Sequence, residues 1–362
     1  MQKVNDSGAN ASCGAPDIDC ILIGVNCEKT LERCINSIKA SDYPKEKLHI
    51  CYVDGGSTDG SIKSAMYCEG VEIIAIQPEY PTPGIGRNTG WKAGSAPLVQ
   101  FLDSDTVLDS HWLTIAVKAI GEERIGAILG TRREIHPESS LFNWIGDLEW
   151  NGPAGDSNCF GGDVLIRRKV LEQTGGYDEE LVGGEDPELS RRLIRAGWKI
   201  TRLDAPMTKH DLAMTKISHY VRRAYRSGYG FAAVRQREAN AGSNFWQYEH
   251  RKIVIRGGGF IGGIFLSSPL LFAGSLSATS VAIILLGTGT TLLLMPRLFK
   301  VENFMKEHRL ERRAAKKYAW HCSLVVLPQL AGLLRFYFGQ LFGKPLRNRR
   351  NRLATATSGQ ET

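Results

Sequence analysis

Between residues 18 and about 130 short apolar runs alternate with amphipathic stretches, a pattern that predicts a parallel sheet covered by helices. IDCILIGVN (18–26) reads as a first strand. KTLERCINSIKAS follows with Leu31, Cys34, Ile35 and Ile38 at helical spacing, and the Asp42-Tyr43-Pro44 turn is its expected end. LHICYVD (48–54) predicts a second strand, SIKSAMYC a short helix, VEIIAIQ (71–77) a third strand, and APLVQFLDSD (96–105) a fourth that ends in carboxylates. A helix around 110–120, a strand at GAILGT (126–131) and a loop-rich section with Trp144 and Trp150 come next. Leu189, Leu193 and Ile194 then make a helical stripe after Pro187. The soluble part is expected over 18–250, of α/β class, after an N-terminus of 17 polar residues expected to have no fold.

Residues 257–296 form a run of 40 without a charged side chain. About 20 apolar residues cross a bilayer, so this length predicts two spans joined by a tight turn. Arg251, Lys252 and Arg256 precede the run, and RLFKVENFMKEHRLERRAAKK follows it with eight basic and three acidic residues, so both ends of the hairpin are expected on the cytoplasmic side. Residues 297–362 then hold a basic juxtamembrane helix, an apolar segment at about 318–343 and the tail KPLRNRRNR. Spanning would carry that tail outward against the charge bias, so the segment is expected to lie interfacially or re-enter, with the tail on anionic lipid. The soluble part is expected in the cytoplasm, on the cytoplasmic membrane.

Composition narrows the class. The 362 residues are 43% hydrophobic and 23% charged, enough for a packed core, and the net charge of +7 is concentrated after residue 215. Eight cysteines without a C-x-x-C pair exclude a zinc cluster and a secreted disulfide scaffold. A basic run beside apolar segments marks a membrane surface, so no nucleic-acid partner is expected.

Three acidic sites fall where open α/β sheets bind ligands, beyond the carboxyl ends of strands. Asp54 stands in VDGGSTDG, where Gly55 and Gly56 give a tight turn and Ser57 is placed to cap the next helix; alone, this is ordinary turn chemistry. Asp103-Ser104-Asp105 can turn two carboxylates toward one point, as hard ligands for Mg²⁺ or Mn²⁺ or as solvated turn acids. Glu185-Asp186 precede Pro187 at a helix start, where either a cap or a chemical base would place them.

Taken in order, Asp54, Asp103-x-Asp105 and Glu185-Asp186 resemble the family 2 inverting glycosyltransferases, with support from LIGVNCEKTLERCINSI, from GIGRNTGWKAG as a donor-lining loop, and from CFGGDVLIRRKVLEQTGGYDEEL. The resemblance covers about 18–225. It implies a GT-A fold, a mixed and mainly parallel sheet with helices on both faces. It further implies that Asp54, with Asn26 and Arg87 nearby, meets the base or ribose of a nucleotide sugar, that Asp103 holds ribose and metal, and that Asp105 is the direct ligand of Mn²⁺ or Mg²⁺. Asp186 would be the general base supported by Glu185, Gly161-Gly162-Asp163 would shape the sugar and acceptor side, and His210 would return to the metal or diphosphate, where a lone histidine otherwise packs or caps. The implied partners are a nucleotide-diphosphate sugar and a saccharide or lipid-linked acceptor. LIGVN lacks the family's proline and tyrosine, and no Q-x-x-R-W motif is present; RRAYRSGYGFAAVR (222–235) stands in that region, implying single addition rather than polymer synthesis.

Other classes remain beside it. A dinucleotide-binding oxidoreductase needs G-x-G-x-x-G after the first strand, where this chain has GVNCEKT. A nucleotidyltransferase shares the acid and metal logic, and an inactive membrane scaffold would keep the fold without turnover.

Overall fold

The computed structural model describes residues 14–150 and 152–348. The expected polar leader up to residue 13 and the basic tail from 349 lie outside the described residues. The α/β layer begins with β1 (Ile18–Gly24), α1 (Glu28–Lys39), β2 (Leu48–Asp54), α2 (Ser61–Met66), β3 (Val71–Ala75), α3 (Pro83–Ala93) and β4 (Leu98–Asp103). It continues through β5 (Thr106–Leu108), α4 (Trp112–Ala119), β6 (Ile125–Glu134), α5 (Leu141–Glu149), β7 (Gly155–Asp156), β8 (Val164–Arg167), α6 (Arg168–Thr174), α7 (Glu185–Arg195) and β9 (Lys199–His210).

These strands form one mixed sheet in the order β3-β2-β1-β4-β8-β6-β9-β5, with β7 on β9. The N-terminal half, β3-β2-β1-β4, is parallel throughout, and β8 enters antiparallel between β4 and β6. Ile18, Cys20, Ile21 and Leu22 of β1 are all buried because helices cover both faces, which is why this strand reads as a continuous apolar run. Cys20 and Cys34 point into the core, Cys27 sits at the start of α1, and the described cysteines are free thiols.

Two local expectations are corrected. GIGRNTGWKAG is no loop but the body of α3. Its glycines have low helix propensity, yet Thr82 caps the helix by accepting from Ile85 N, Pro83 opens it, and a Cβ at Gly90 would collide with Ile21 of β1. Close packing on the sheet therefore outweighs propensity. Ser57 does not cap α2, whose N-cap is Gly60; its Oγ accepts from Asn26 N at 2.8 Å, tying two loops together.

A second layer of helices follows: α8 (Ile217–Asn240), α9 (Gln247–Ile253), a π-helical turn (Val254–Gly258), α10 (Gly259–Phe272), α11 (Leu276–Phe299), α12 (Val301–Glu307), α13 (Arg312–Leu324) and α14 (Val326–Leu341). Three helical stretches, Gln247–Phe272, Leu276–Phe299 and Arg312–Leu341, are long and apolar enough to cross a membrane. In the α10–α11 hairpin Gly263 faces Leu285 and Gly289 faces Gly259, so the helices run antiparallel at glycine-limited distance. The third stretch, expected at the interface, packs α14 along α8; a Cβ on Gly228 or Gly332 would overlap the facing backbone. Leu181 and Val182, just before α7, join this second apolar cluster and link it to the acidic loop.

Candidate active site

β4 ends at Asp103, and the turn into β5 carries Asp105. β5 pairs antiparallel with β9 so that Thr106 faces His210, and this register sets the imidazole beside the acids. His210 Nε2 lies 3.2 Å from Asp105 Oδ1 and 3.9 Å from Asp103 Oδ2. Gly184, at φ 90°, turns the chain into α7, a left-handed position glycine holds without strain. No side chain caps α7, so Glu185 and Asp186 are not used in the capping role open to them.

Arg87 of α3 is the hub of the cluster. Its Nη1 donates to Glu185 Oε1 and its Nη2 to Asp103 Oδ1, both at 2.9 Å, and Asp186 Oδ1 stands 3.6 Å from Nη1. The guanidinium also lies over the Tyr177 ring. Arg132 of β6 completes the frame, bonding Asp163 Oδ2 and lying 3.5 Å from Asp103 Oδ2. Asp163 is fully occupied from beneath, accepting from Asp103 N and Thr208 Oγ1 as well. It therefore braces Asp103 rather than facing the cleft, while Gly161 is exposed. Gly162 allows the close approach: a Cβ there would meet Asp103 Oδ2 at 2.5 Å and Arg87 Nη2 at 2.7 Å.

The sheet's other end is built differently. Asp54 is 1% exposed; Oδ1 accepts from Gly56 N and Ser57 N, both at 2.9 Å, and Oδ2 from Tyr52 OH at 2.8 Å. Asn26, at φ 56°, accepts from Thr58 N at 2.8 Å. The structure thus brings Arg87, Asp103, Asp105, Gly162, Glu185, Asp186 and His210 together, and leaves Asp54 and Asn26 organising the loops after β2 and β1. Arg87, expected beside a nucleotide, points instead at the carboxylates.

Electrostatics separate these acids. Burial would raise Asp103, but Arg87 and Arg132 hold its carboxyl below the ordinary range. Burial, with Asp103 and Asp163 adding like charge, pushes Asp105 up to about 7. Burial pushes Asp186 up to about 8, against the pull of Arg87 and with Glu185 and Asp103 raising it further. Burial and Arg132 pull His210 down to about 3, which keeps the imidazole neutral with a lone pair to offer. Asp105 Oδ1, Asp186 Oδ1 and His210 Nδ1 are buried without a hydrogen-bond partner among the described residues.

Asp103, Asp105 and His210 can each present one ligand atom, all within 4.8 Å of one another. Two carboxylates and a neutral imidazole with unfilled acceptors fit a divalent ion such as Mn²⁺ or Mg²⁺. Trp150 packs on His210 with centroids 5.0 Å apart and carries Arg132 over its ring. Arg132, Trp150, Tyr177 and Thr208 were not identified from sequence. The one available signal was Arg132-Arg133 at the end of an apolar strand, where alternation sends one inward and the other out to Asp147.

A family model of glycosyl transferase family 2 matches residues 19–174. Residues 19–174 form a family 2 glycosyltransferase domain. A second model, the N-terminal domain of galactosyltransferase, matches residues 148–219, which include α7 and His210. Glycosyltransferase AglE of Haloferax volcanii is 24% identical over 195 residues, covering 51% of this chain and 64% of that protein. The pre-mycofactocin glycosyltransferase of Mycobacterium tuberculosis is 23% identical over 269 residues, 69% of this chain and 53% of its own. The chain thus spans about half to two thirds of these curated relatives. Among solved structures, the mannosyltransferase PcManGT from Pyrobaculum calidifontis, in complex with GDP-Man and Mn²⁺, superposes with TM-score 0.58 at 17% identity over 87% of this chain and 88% of its own. TarS 1-349 of S. aureus gives 0.52 at 17% identity over 86% and 90%. The domain has the GT-A fold.

Proposed function

We propose that this family 2 domain moves a sugar from a nucleotide-diphosphate sugar to an acceptor hydroxyl, with inversion and one addition per cycle. The observation that carries the reading is the convergence of Asp103 and Asp186 on Arg87 and of His210 on Asp103 and Asp105, with polar atoms of Asp105, His210 and Asp186 buried and unpartnered among the described residues. Asp186 is the general base. Its free oxygen and raised pKa suit it to take the acceptor's proton, a contribution of about 10² to 10⁴ in rate. Arg87, fixed by Glu185, stands 3.6 Å from Asp186 Oδ1, and Gly162 lets Asp103 and Arg87 come close to the loop it belongs to.

Asp105, Asp103 and His210 would hold Mn²⁺ or Mg²⁺, which supplies positive charge against a leaving diphosphate. Asp54 and Asn26 enter as the residues that fix the loops on the nucleoside side, opposite the acids. PcManGT, of similar fold, was solved with GDP-Man and Mn²⁺, and TarS 1-349 with UDP-GlcNAc, which supports a nucleotide-sugar donor here. The catalytic domain, 18–250, sits on the cytoplasmic face of the cytoplasmic membrane, with 257–296 as the inserted hairpin and 318–343 lying along α8 at the interface. The basic flanks and the antiparallel hairpin support that arrangement, and a lipid-linked or cell-envelope saccharide is the acceptor that it favours.

The test is a screen of nucleotide sugars with Mn²⁺ or Mg²⁺, scoring thermal stabilisation and release of nucleoside diphosphate. Release of pyrophosphate would assign a nucleotidyltransferase instead. No response to any donor would return the chain to a scaffold.

A further inference from the structure

One face of α8 is fixed at both ends. Tyr220, in the first turn, stacks on Phe142 of α5 with centroids 4.6 Å apart and shares a 2.7 Å hydrogen bond with His321 of α13. His321 Nε2 lies 3.0 Å from Glu149 Oε1 at the end of α5, beside Trp150 and so beside His210. Further along, Arg226 donates to Val182 O at 2.8 Å, immediately before the loop that bears Asp186. Gly230 continues the line, where a Cβ would meet Gly183 O at 2.8 Å.

Arg223 is three residues from Tyr220 and three from Arg226, so helical periodicity sets it on this face, midway between the two anchors. One anchor belongs to the His210 side of the cleft and the other to the Asp186 side. Among the described residues the Arg223 guanidinium forms no hydrogen bond or ion pair, and solvent reaches it. The nearby carboxylate of Glu149 accepts from Tyr318 and meets His321 through Oε1, and it stands beyond ion-pair distance of the Arg223 guanidinium. Partial desolvation and the neighbouring Arg132 hold the guanidinium below its ordinary pKa, against the pull of Glu149, Asp103 and Asp105. A cation kept unpaired beside a second cation fits an anion arriving from outside, and a planar guanidinium matches phosphate oxygens in two-pronged contact.

The position also sorts the source of that anion. Asp54 ends the strand next to one edge of the sheet, whereas the anchors of Arg223 lie with α5, α13 and β9 toward the other. We propose that Arg223 binds a phosphate group of the acceptor, which enters between α8, α5 and α13 from the side of the membrane helices. This rests on the sugar-transfer reading and names the acceptor class as phosphate-bearing.

Full-length protein in maltoside micelles is titrated with dodecyl phosphate, with dodecanol as the uncharged control, following tryptophan fluorescence. UDP and GDP with Mn²⁺ serve as probes of the donor side. R223Q is expected to weaken dodecyl phosphate about ten- to hundredfold, the worth of a charge-assisted hydrogen bond. R223K recovers part of that loss, and R222Q, which removes the same charge from the neighbouring exposed position, leaves affinity unchanged. UDP and GDP binding stays at the wild-type level in all three. Equal affinity of R223Q and wild type for dodecyl phosphate overturns the proposal, as does an equal loss in R222Q. A loss confined to UDP and GDP also overturns it, by moving the guanidinium to the donor. Wild type that binds dodecyl phosphate through Arg223 but neither nucleotide sinks the sugar-transfer reading and leaves the phosphate site standing.

Discussion

Asp54 and Asp186 both stand at an element boundary marked by a glycine pair, Asp54 directly before it in V-D-G-G-S and Asp186 one residue beyond it in G-G-E-D-P. Their surroundings are opposite. Asp54 receives three hydrogen bonds from its own turn and strand, at 2.8 to 2.9 Å. Asp186 keeps one oxygen unpartnered and stands 3.6 Å from the nearest guanidinium nitrogen. A saturated carboxylate holds a loop; a carboxylate held short of its partner is free for a substrate, and the fold bears the cost of leaving it so.

The sharpest way to break this contrast is to neutralise each acid in turn. D186N should lower kcat by about 10² to 10⁴ while nucleoside diphosphate binding persists, and its melting temperature should not fall, because Asp186 Oδ1 makes no hydrogen bond for the substitution to break. Steady-state kinetics and thermal unfolding in detergent check both halves. An active D186N variant would remove Asp186 from the chemistry.

The next effect in size concerns His210 and Asp105. H210A or D105N should raise the Mn²⁺ concentration for half-maximal activity by about 10- to 100-fold, the range that perturbing a metal site's supporting groups already produces. Titrating Mn²⁺ against thermal stability gives the same answer without a donor. Unchanged metal dependence would reduce the trio to an ordinary buried hydrogen-bonding cluster.

D54A tests the other member of the pair. It leaves Gly56 N, Ser57 N and the Tyr52 hydroxyl without their acceptor, so stability should fall by about 1–3 kcal/mol while kcat per folded molecule changes little. A large loss of kcat with no loss of stability would make Asp54 a substrate ligand after all.

The contrast also marks how far the sequence could be read. Apolar runs located β1, α1, β2 and β4, whose own residues are buried, and β3, whose Val71, Ile73 and Ile74 are partly buried against the core. Asp103, Asp105 and Asp186 were legible as acids at element boundaries. Which of them would be left unsatisfied was not, because that depends on Arg87 and Arg132 arriving from distant elements. α3 was misread as a loop for a related reason: its glycines look like breakers until β1 is seen pressing against Gly86 and Gly90. The place of His210 comes from the β5–β9 register, which local pattern does not encode.

The smallest effect is one of pH, and it separates the two raised acids. Asp186 must be unprotonated to accept a proton, and burial, reinforced by Glu185 and Asp103 against Arg87, sets its pKa at about 8. As pH falls through that value the protonated fraction grows, so kcat/KM should drop toward tenfold per unit on the acid side and level off above it. Asp105, raised to about 7 by burial and by Asp103 and Asp163, acts in the same direction because a metal ligand must also lose its proton. The two limbs differ in their response to metal: more Mn²⁺ competes with the proton on Asp105 and moves that limb to lower pH, but leaves the limb of Asp186 in place. A profile measured at two Mn²⁺ concentrations therefore assigns each limb. A rate independent of pH between about 6 and 9 at both concentrations would mean that neither acid changes its protonation in the working enzyme, and the distinction between Asp54 and Asp186 would then be one of packing alone.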